Sequence, residues 1–179
     1  MQNSLKLLGK NIQFRSVTEE DAEFILGLRT DESYNKHLSS VTDDIEKQVS
    51  WIIDYKEREL KGDEYYFIIE RKDNNEKIGT VRIYDFDFAN NSFCWGSWIL
   101  NEKKTKLAAL ESAIMIYDFC FNNLRFNRCH MDIRKGNLHV QKFHQRFGVA
   151  FIGETELDII GHYYKDDYLR LRNDFVTSL

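Results

Sequence analysis

Lys103, Lys104 and Lys106 surround Thr105 just ahead of an apolar run, Leu107 to Leu124. A helix starting there turns free amide N–H groups and the positive end of its dipole toward these lysines, an arrangement suited to phosphate. Thr105 is placed to cap that helix or to donate its hydroxyl to a phosphate oxygen. The same charges would equally serve as a solvated loop. His144 is a second candidate, since an ordinary imidazole, with a pKa of about 6.5, can donate a proton near neutrality. It sits about 100° round a helix from Phe143, which also suits a surface position. Alternation places Asp85 and Asp87 on one face of a strand, as a proton acceptor or as a plain polar strand end. Cys94, Cys120 and Cys129 lack metal or redox spacing and read as reduced, mostly buried thiols.

These residues need a frame. Asn11 to Val17 alternates as a strand, and Thr18 with Asp21 resembles a capping box for a helix to about Arg29. A second helix runs from Asp43 or Asp44 to about Leu60, with Ile45, Val49, Ile52 and Ile53 at inward spacing. Tyr65 to Arg71, Lys77 to Phe88 and Phe93 to Leu100 read as an antiparallel meander. Leu107 to Leu124 is a buried helix. Strand Cys129 to Ile133 leads to Asn137, an N-cap for a helix to Phe147. Gly148 then takes a left-handed helix end. Ile152 to Asp158 and Tyr163 to Leu171 read as a closing hairpin. This order, β-α-α-β-β-β-α-β-α-β-β, predicts an α+β (mixed α/β) fold. Its central sheet is mostly antiparallel and flanked by helices, in one domain over 1–179.

Asn137, Phe143 and Gly148 keep the spacing of the C-terminal half of the GNAT acyl-CoA N-acetyltransferases, and the element order resembles that family from Asn11 to about Arg172. Within it the chain looks closest to the branch holding ribosomal-protein alanine acetyltransferases, on Trp51, Gly79, Trp95 to Trp98 and Tyr168 to Leu171. The resemblance implies acetyl-CoA as co-substrate, with Lys103, Lys104, Thr105, Lys106, Leu107, Ala108 and Ala109 around its pyrophosphate. Thr105 and Leu107 stand where the family has glycines, and Ala109 keeps the small residue. Trp98, Ile99 and Leu100 would pair with the pantetheine, and Asn137 would lie near it. His144 occupies the position of the family's Tyr beside the leaving sulfur. Asp85, Asp87 and Ser97 become the base candidates, and Tyr34, Asn35, His37 and Trp95 border the acceptor.

The implied activity is transfer of an acetyl group to a primary amine, with a nucleotide-linked amino sugar favoured on the resemblance of the C-terminal hairpin. A protein N-terminus, a polyamine or another small amine is the alternative, as is a non-catalytic CoA-binding module. A homodimer is compatible with all of these. Net charge is -4, with 42% hydrophobic and 14% aromatic residues, which argues against disorder. A pI near 5.8 without a basic stripe argues against nucleic acid. No apolar run approaches a membrane span and no export pattern opens the chain, so a cytoplasmic location is expected, without a metal.

Overall fold

Alternating apolar residues commit eight segments of this chain to strands, and the computed structural model, which describes residues 5–179, assembles them into one sheet. The strands are β1 (Lys6–Leu8), β2 (Ile12–Ser16), β3 (Tyr65–Arg71), β4 (Lys77–Asp87), β5 (Ser92–Leu100), β6 (Arg128–Arg134), β7 (Ala150–Glu154) and β8 (Asp158–Tyr164). Their spatial order is β1-β2-β3-β4-β5-β6-β8-β7. Every neighbouring pair is antiparallel except β5 and β6, which run parallel. The helices are α1 (Ala22–Thr30), α2 (Glu32–Asn35), α3 (Ile45–Lys61), α4 (Ala108–Asp118), α5 (Leu138–Phe147) and α6 (Lys165–Thr177).

Each face of the sheet has its own core. Ala22 and Ile25 of α1 and Ile52 and Tyr55 of α3 cover Tyr66 and Ile68 on one face. On the other, Tyr117, Phe147 and Tyr168 from α4, α5 and α6 pack with Phe67, Ile83, Phe93 and Met131. Buried carboxylates pin the frame. Glu111 of α4 accepts the amides of Asn11 at 2.7 Å and Ile12 at 3.2 Å. Asp21 accepts the Thr18 amide and pairs with both Arg15 and Lys77 at 2.7 Å.

The sheet splits between its two halves. β5 and β6 pair only at Ser92 with Arg128 and Phe93 with Cys129. Beyond that, β6 follows β8 through Arg134, while β5 stays with β4. A bulge in β5 adds to the divergence. Thr80 faces Ile99 and Arg82 faces Gly96, so β5 carries an extra residue. Ser97 takes φ 47° there, and its carbonyl accepts the Thr80 hydroxyl at 3.0 Å. The two strands leave a V-shaped gap, each with an unpaired edge.

The sequence reading differs from this fold in four places. A short strand, β1, precedes the first expected one. In α3 the inward residues are Gln48, Ile52 and Tyr55, while Ile45 and Ile53 are 44% and 47% exposed. The buried helix after Leu107 loosens into a π turn over Phe119–Asn123. The final hairpin turns earlier, at Thr155, whose hydroxyl accepts the amides of Leu157 and Asp158. Of the residues expected as its second strand, Tyr163 and Tyr164 end β8, and those from Lys165 onward form α6 instead. Tyr168 and Arg172 lie four apart and both bind Asp118 of α4, an attachment only a helix can make.

Candidate active site

The gap between β5 and β6 opens into a cavity of about 370 Å³ whose lining includes Met131 and Ile133 from one face of β6 and Asp132 and Arg134 from the other. On the α5 side its walls are Trp95, Trp98, Met131, Ile133, Asn137, Val140 and His144. Trp95 and Trp98 meet edge to face at 5.3 Å, and His144 stands against Trp95 at the same distance. The ring nitrogens Nε1 of Trp98 and Nδ1 of His144 are buried without a partner among the described residues. Two orphaned polar atoms in one cavity are costly in the free protein and suited to a ligand. Asn137 caps α5, its Oδ1 accepting the Val140 amide at 3.3 Å, and also lines the cavity.

The other side is polar. Tyr84, Asp132, Arg134, Asp158 and the loop His37 to Ser39 line it. Tyr84 lies across Gly96, where a Cβ would meet its hydroxyl at 2.9 Å, so glycine alone admits the ring there. Arg134 pairs with Asp158 at 3.2 Å. Asp132 is exposed, and its carboxylate has no partner among the described residues. The sequence reading missed Tyr84, Asp132, Arg134 and Asp158. Their signal was present for Asp132 and Arg134, which alternate with buried Met131 and Ile133 on β6.

Lys103 to Ala109 lies at a separate opening of about 270 Å³, lined by Thr105, Lys106, Leu107, Asn11, Arg71 and Asp73. The residue before α4 is Leu107, whose side chain makes no cap. Thr105 is therefore not the cap, and its buried hydroxyl has no partner among the described residues. The amides of Lys106, Leu107, Ala109 and Leu110 donate to no described protein group. Lys103 is held by Glu76 at 2.5 Å, which leaves Lys104 and Lys106 as the freer charges. Free amides, an orphan hydroxyl and two cations at a helix start fit the pyrophosphate of CoA, even without glycines.

The cavity therefore gathers Trp95, Ser97, Asn137, His144 and His37 from the expected site. It does not gather Asp85 or Tyr34. Asp85 sits at φ 53° with its carboxylate on His130 Nε2 at 3.0 Å, and His130 Nδ1 reaches Ser92 Oγ at 2.7 Å. Tyr34 donates to Glu102 at 2.6 Å, outside the cavity. Ile99 and Leu100 pair with Thr80 and Gly79 of β4, leaving their other edge toward the gap. His144 is buried rather than a surface residue, and burial lowers its pKa to about 4. The imidazole is thus neutral at pH 7, not the protonated donor expected from the ordinary value. Burial also pushes the Cys94 thiol up to about 12 and raises Cys120 and Cys129, which removes all three as nucleophiles.

A sheet split at one parallel junction, with an aromatic-walled cavity in the split and a bare helix start at a separate opening, is the frame of an acyltransferase. The acetyltransferase (GNAT) domain family matches residues 11–150, and the chain belongs to that family. It is therefore an N-acetyltransferase by family. It is 44% identical to FdhC, described as a nucleotide-linked sugar GNAT, with a TM-score of 0.89 over 96% of this chain and 97% of that one. A Bacillus subtilis (strain 168) N-acetyltransferase, YjcK, is 25% identical over 79% of this chain and 82% of its own. The ribosomal-protein-S5-alanine acetyltransferase of Vibrio fischeri shares the fold, with a TM-score of 0.78 over 92% and 98% of the two chains at 17% identity.

Proposed function

We propose that the β5–β6 cavity acetylates the amine of a nucleotide-linked amino sugar, with acetyl-CoA as donor. The observation that carries this reading is the cavity itself, which joins an aromatic, orphan-donor side to a polar side through one gap in the sheet. The similarity to FdhC over nearly the whole of both chains supports the choice of acceptor. Acetyl-CoA supplies an electrophilic thioester carbonyl. Its pantetheine suits the unpaired edge of β5, where an extended chain can add as a strand. Lys104, Lys106, Thr105 and the free amides of the α4 start hold the pyrophosphate.

On the polar side Asp132 receives the acceptor ammonium and takes one proton from it, which frees the lone pair for attack on the thioester carbon; as the C–S bond breaks, the second nitrogen proton neutralises the departing CoA thiolate. It displaces Asp85 in that role because its carboxylate faces the cavity unpartnered. Ser97 and the bulge present main-chain groups to the reacting carbonyl. His144, neutral and dry, donates a hydrogen bond toward the departing sulfur instead of a full proton.

The test joins calorimetry and turnover. Acetyl-CoA should bind in the micromolar range, about -7 kcal/mol. Asp132→Asn should lower turnover of the amino sugar at least tenfold, with acetyl-CoA affinity kept. Absence of acetyl-CoA binding would overturn the reading, and full activity of Asp132→Asn would remove the base assignment.

A further inference from the structure

A second cavity, about 480 Å³, lies on the α1–α3 face beside the first, and the two share Ser39. Its lining carries three cations, Arg29, Lys47 and Arg82, against one lining carboxylate, Asp44. Arg29 Nη2 fixes the loop by donating to the Ser39 carbonyl at 3.0 Å and hydroxyl at 2.8 Å, while its buried Nε has no partner. Arg82 binds Glu64 through Nε and Nη2 at 2.7 and 2.8 Å, which leaves Nη1 without a partner among the described residues. Lys47 Nζ has only Asp44, at 3.4 Å.

At the floor, Tyr66 is 1% exposed and its hydroxyl is unpartnered. Trp51 adds an aromatic edge, its ring stacked on Tyr55 at 5.9 Å and carrying Arg82 and Arg58 at 5.2 and 5.4 Å. Arg82 also covers the ring of Tyr84 at 4.7 Å, and Tyr84 lines the first cavity. The two cavities are thus adjacent, with Ser39 in both linings and the Arg82–Tyr84 stack between them. Cations, orphan donors and an aromatic surface in one recess fit a diphosphate followed by a flat base.

We infer that this second cavity is the subsite for the nucleoside diphosphate of the acceptor, with Arg29, Lys47, Arg82 and Tyr66 on the phosphates and Trp51 against the nucleoside. The inference rests on the acceptor reading above and deepens it. The sugar then spans the junction at Ser39, with its amine toward Asp132.

UDP and dTDP, titrated calorimetrically into the whole protein, are the probes, with Lys47→Glu and Tyr66→Phe as variants. Lys47 is exposed, so its replacement leaves folding intact. Tyr66→Phe deletes only an unpaired buried hydroxyl, so its melting temperature should hold or rise. At least one diphosphate should bind below roughly 1 mM, and each variant should weaken it about tenfold, with acetyl-CoA affinity unchanged. Binding that neither variant weakens, or no binding at that concentration, overturns the inference. Acetylation assays separate it from the acceptor reading. If a nucleotide-linked amino sugar is acetylated with parental KM in both variants, the subsite falls and the acceptor reading stands. If the diphosphates bind here but no such sugar is acetylated, the subsite stands and the acceptor reading falls.

Discussion

His144 carries the sharpest claim at the scale of single residues. As a neutral donor to the leaving sulfur it contributes only in the transition state, so His144→Ala should lower kcat by roughly 10- to 100-fold with little change in acetyl-CoA affinity. A parental kcat in that variant would show that the sulfur leaves without it. Burial also makes this residue a stability element with a definite pH sense. Its folded pKa, about 4, lies below the ordinary 6.5, so the native state favours the neutral ring. The stability it contributes is complete above pH 6.5 and is lost as pH falls toward 4, because the unfolded chain takes the proton first. The loss is roughly 3 kcal/mol over that window. Urea unfolding of the parent and of His144→Gln between pH 4 and 7 checks this, with the variant losing less on acidification. The sequence marked His144 by its spacing from Asn137 and Gly148 but could not show that Trp95, from β5, packs against it. Nor could it separate Asp85 from Asp132, since Asp85 is drawn to His130 across 45 positions.

Helix ends and strand edges were the most legible elements, because their signals are local. Asn137 and Gly148 bracket α5, and Gly148 takes φ 92°. Gly148→Val should destabilise by at least about 1–2 kcal/mol, the cost of a left-handed L-residue. The added Cβ alone would come within 3.2 Å of Leu171 Cδ1. A thermal midpoint equal to the parent's would contradict the assigned helix end. The start of α4 is a second functional element. Replacing Lys104 and Lys106 with Glu should weaken acetyl-CoA at least tenfold, and more at low salt than at high. Lys103→Glu should do less to cofactor affinity, since that ammonium is already held by Glu76. Equal effects from all three would show that the loop acts only as diffuse charge. The C-terminal element was misread for a physical reason. Tyr163 to Leu171 has strand-like composition, and what makes residues from Lys165 onward helical is docking of Tyr168 and Arg172 on Asp118, some 50 residues earlier. A propensity is overridden by such a tertiary attachment.

For the whole molecule, the decisive feature is the single parallel junction at which the sheet opens. The order of elements was readable from periodicity, and so was a mixed sheet with helices on both sides. The gap was not, because it depends on β6 preferring β8 over β5 beyond Cys129. Nor was the second cavity, whose Arg29, Lys47, Tyr66 and Arg82 come from four different elements. In the proposed function a donor site and a nucleotide-linked acceptor site meet across the sheet at Asp132 and His144. Thiol release from acetyl-CoA, measured as kcat/KM over an acceptor panel, tests it most directly. The panel comprises UDP- and dTDP-linked amino sugars, spermidine and an Ala-initiated peptide. At least one nucleotide-linked sugar should stand about 100-fold above the other two classes, a difference of about 2.7 kcal/mol in transition-state binding. Spermidine or the peptide matching or exceeding every nucleotide-linked sugar would contradict it.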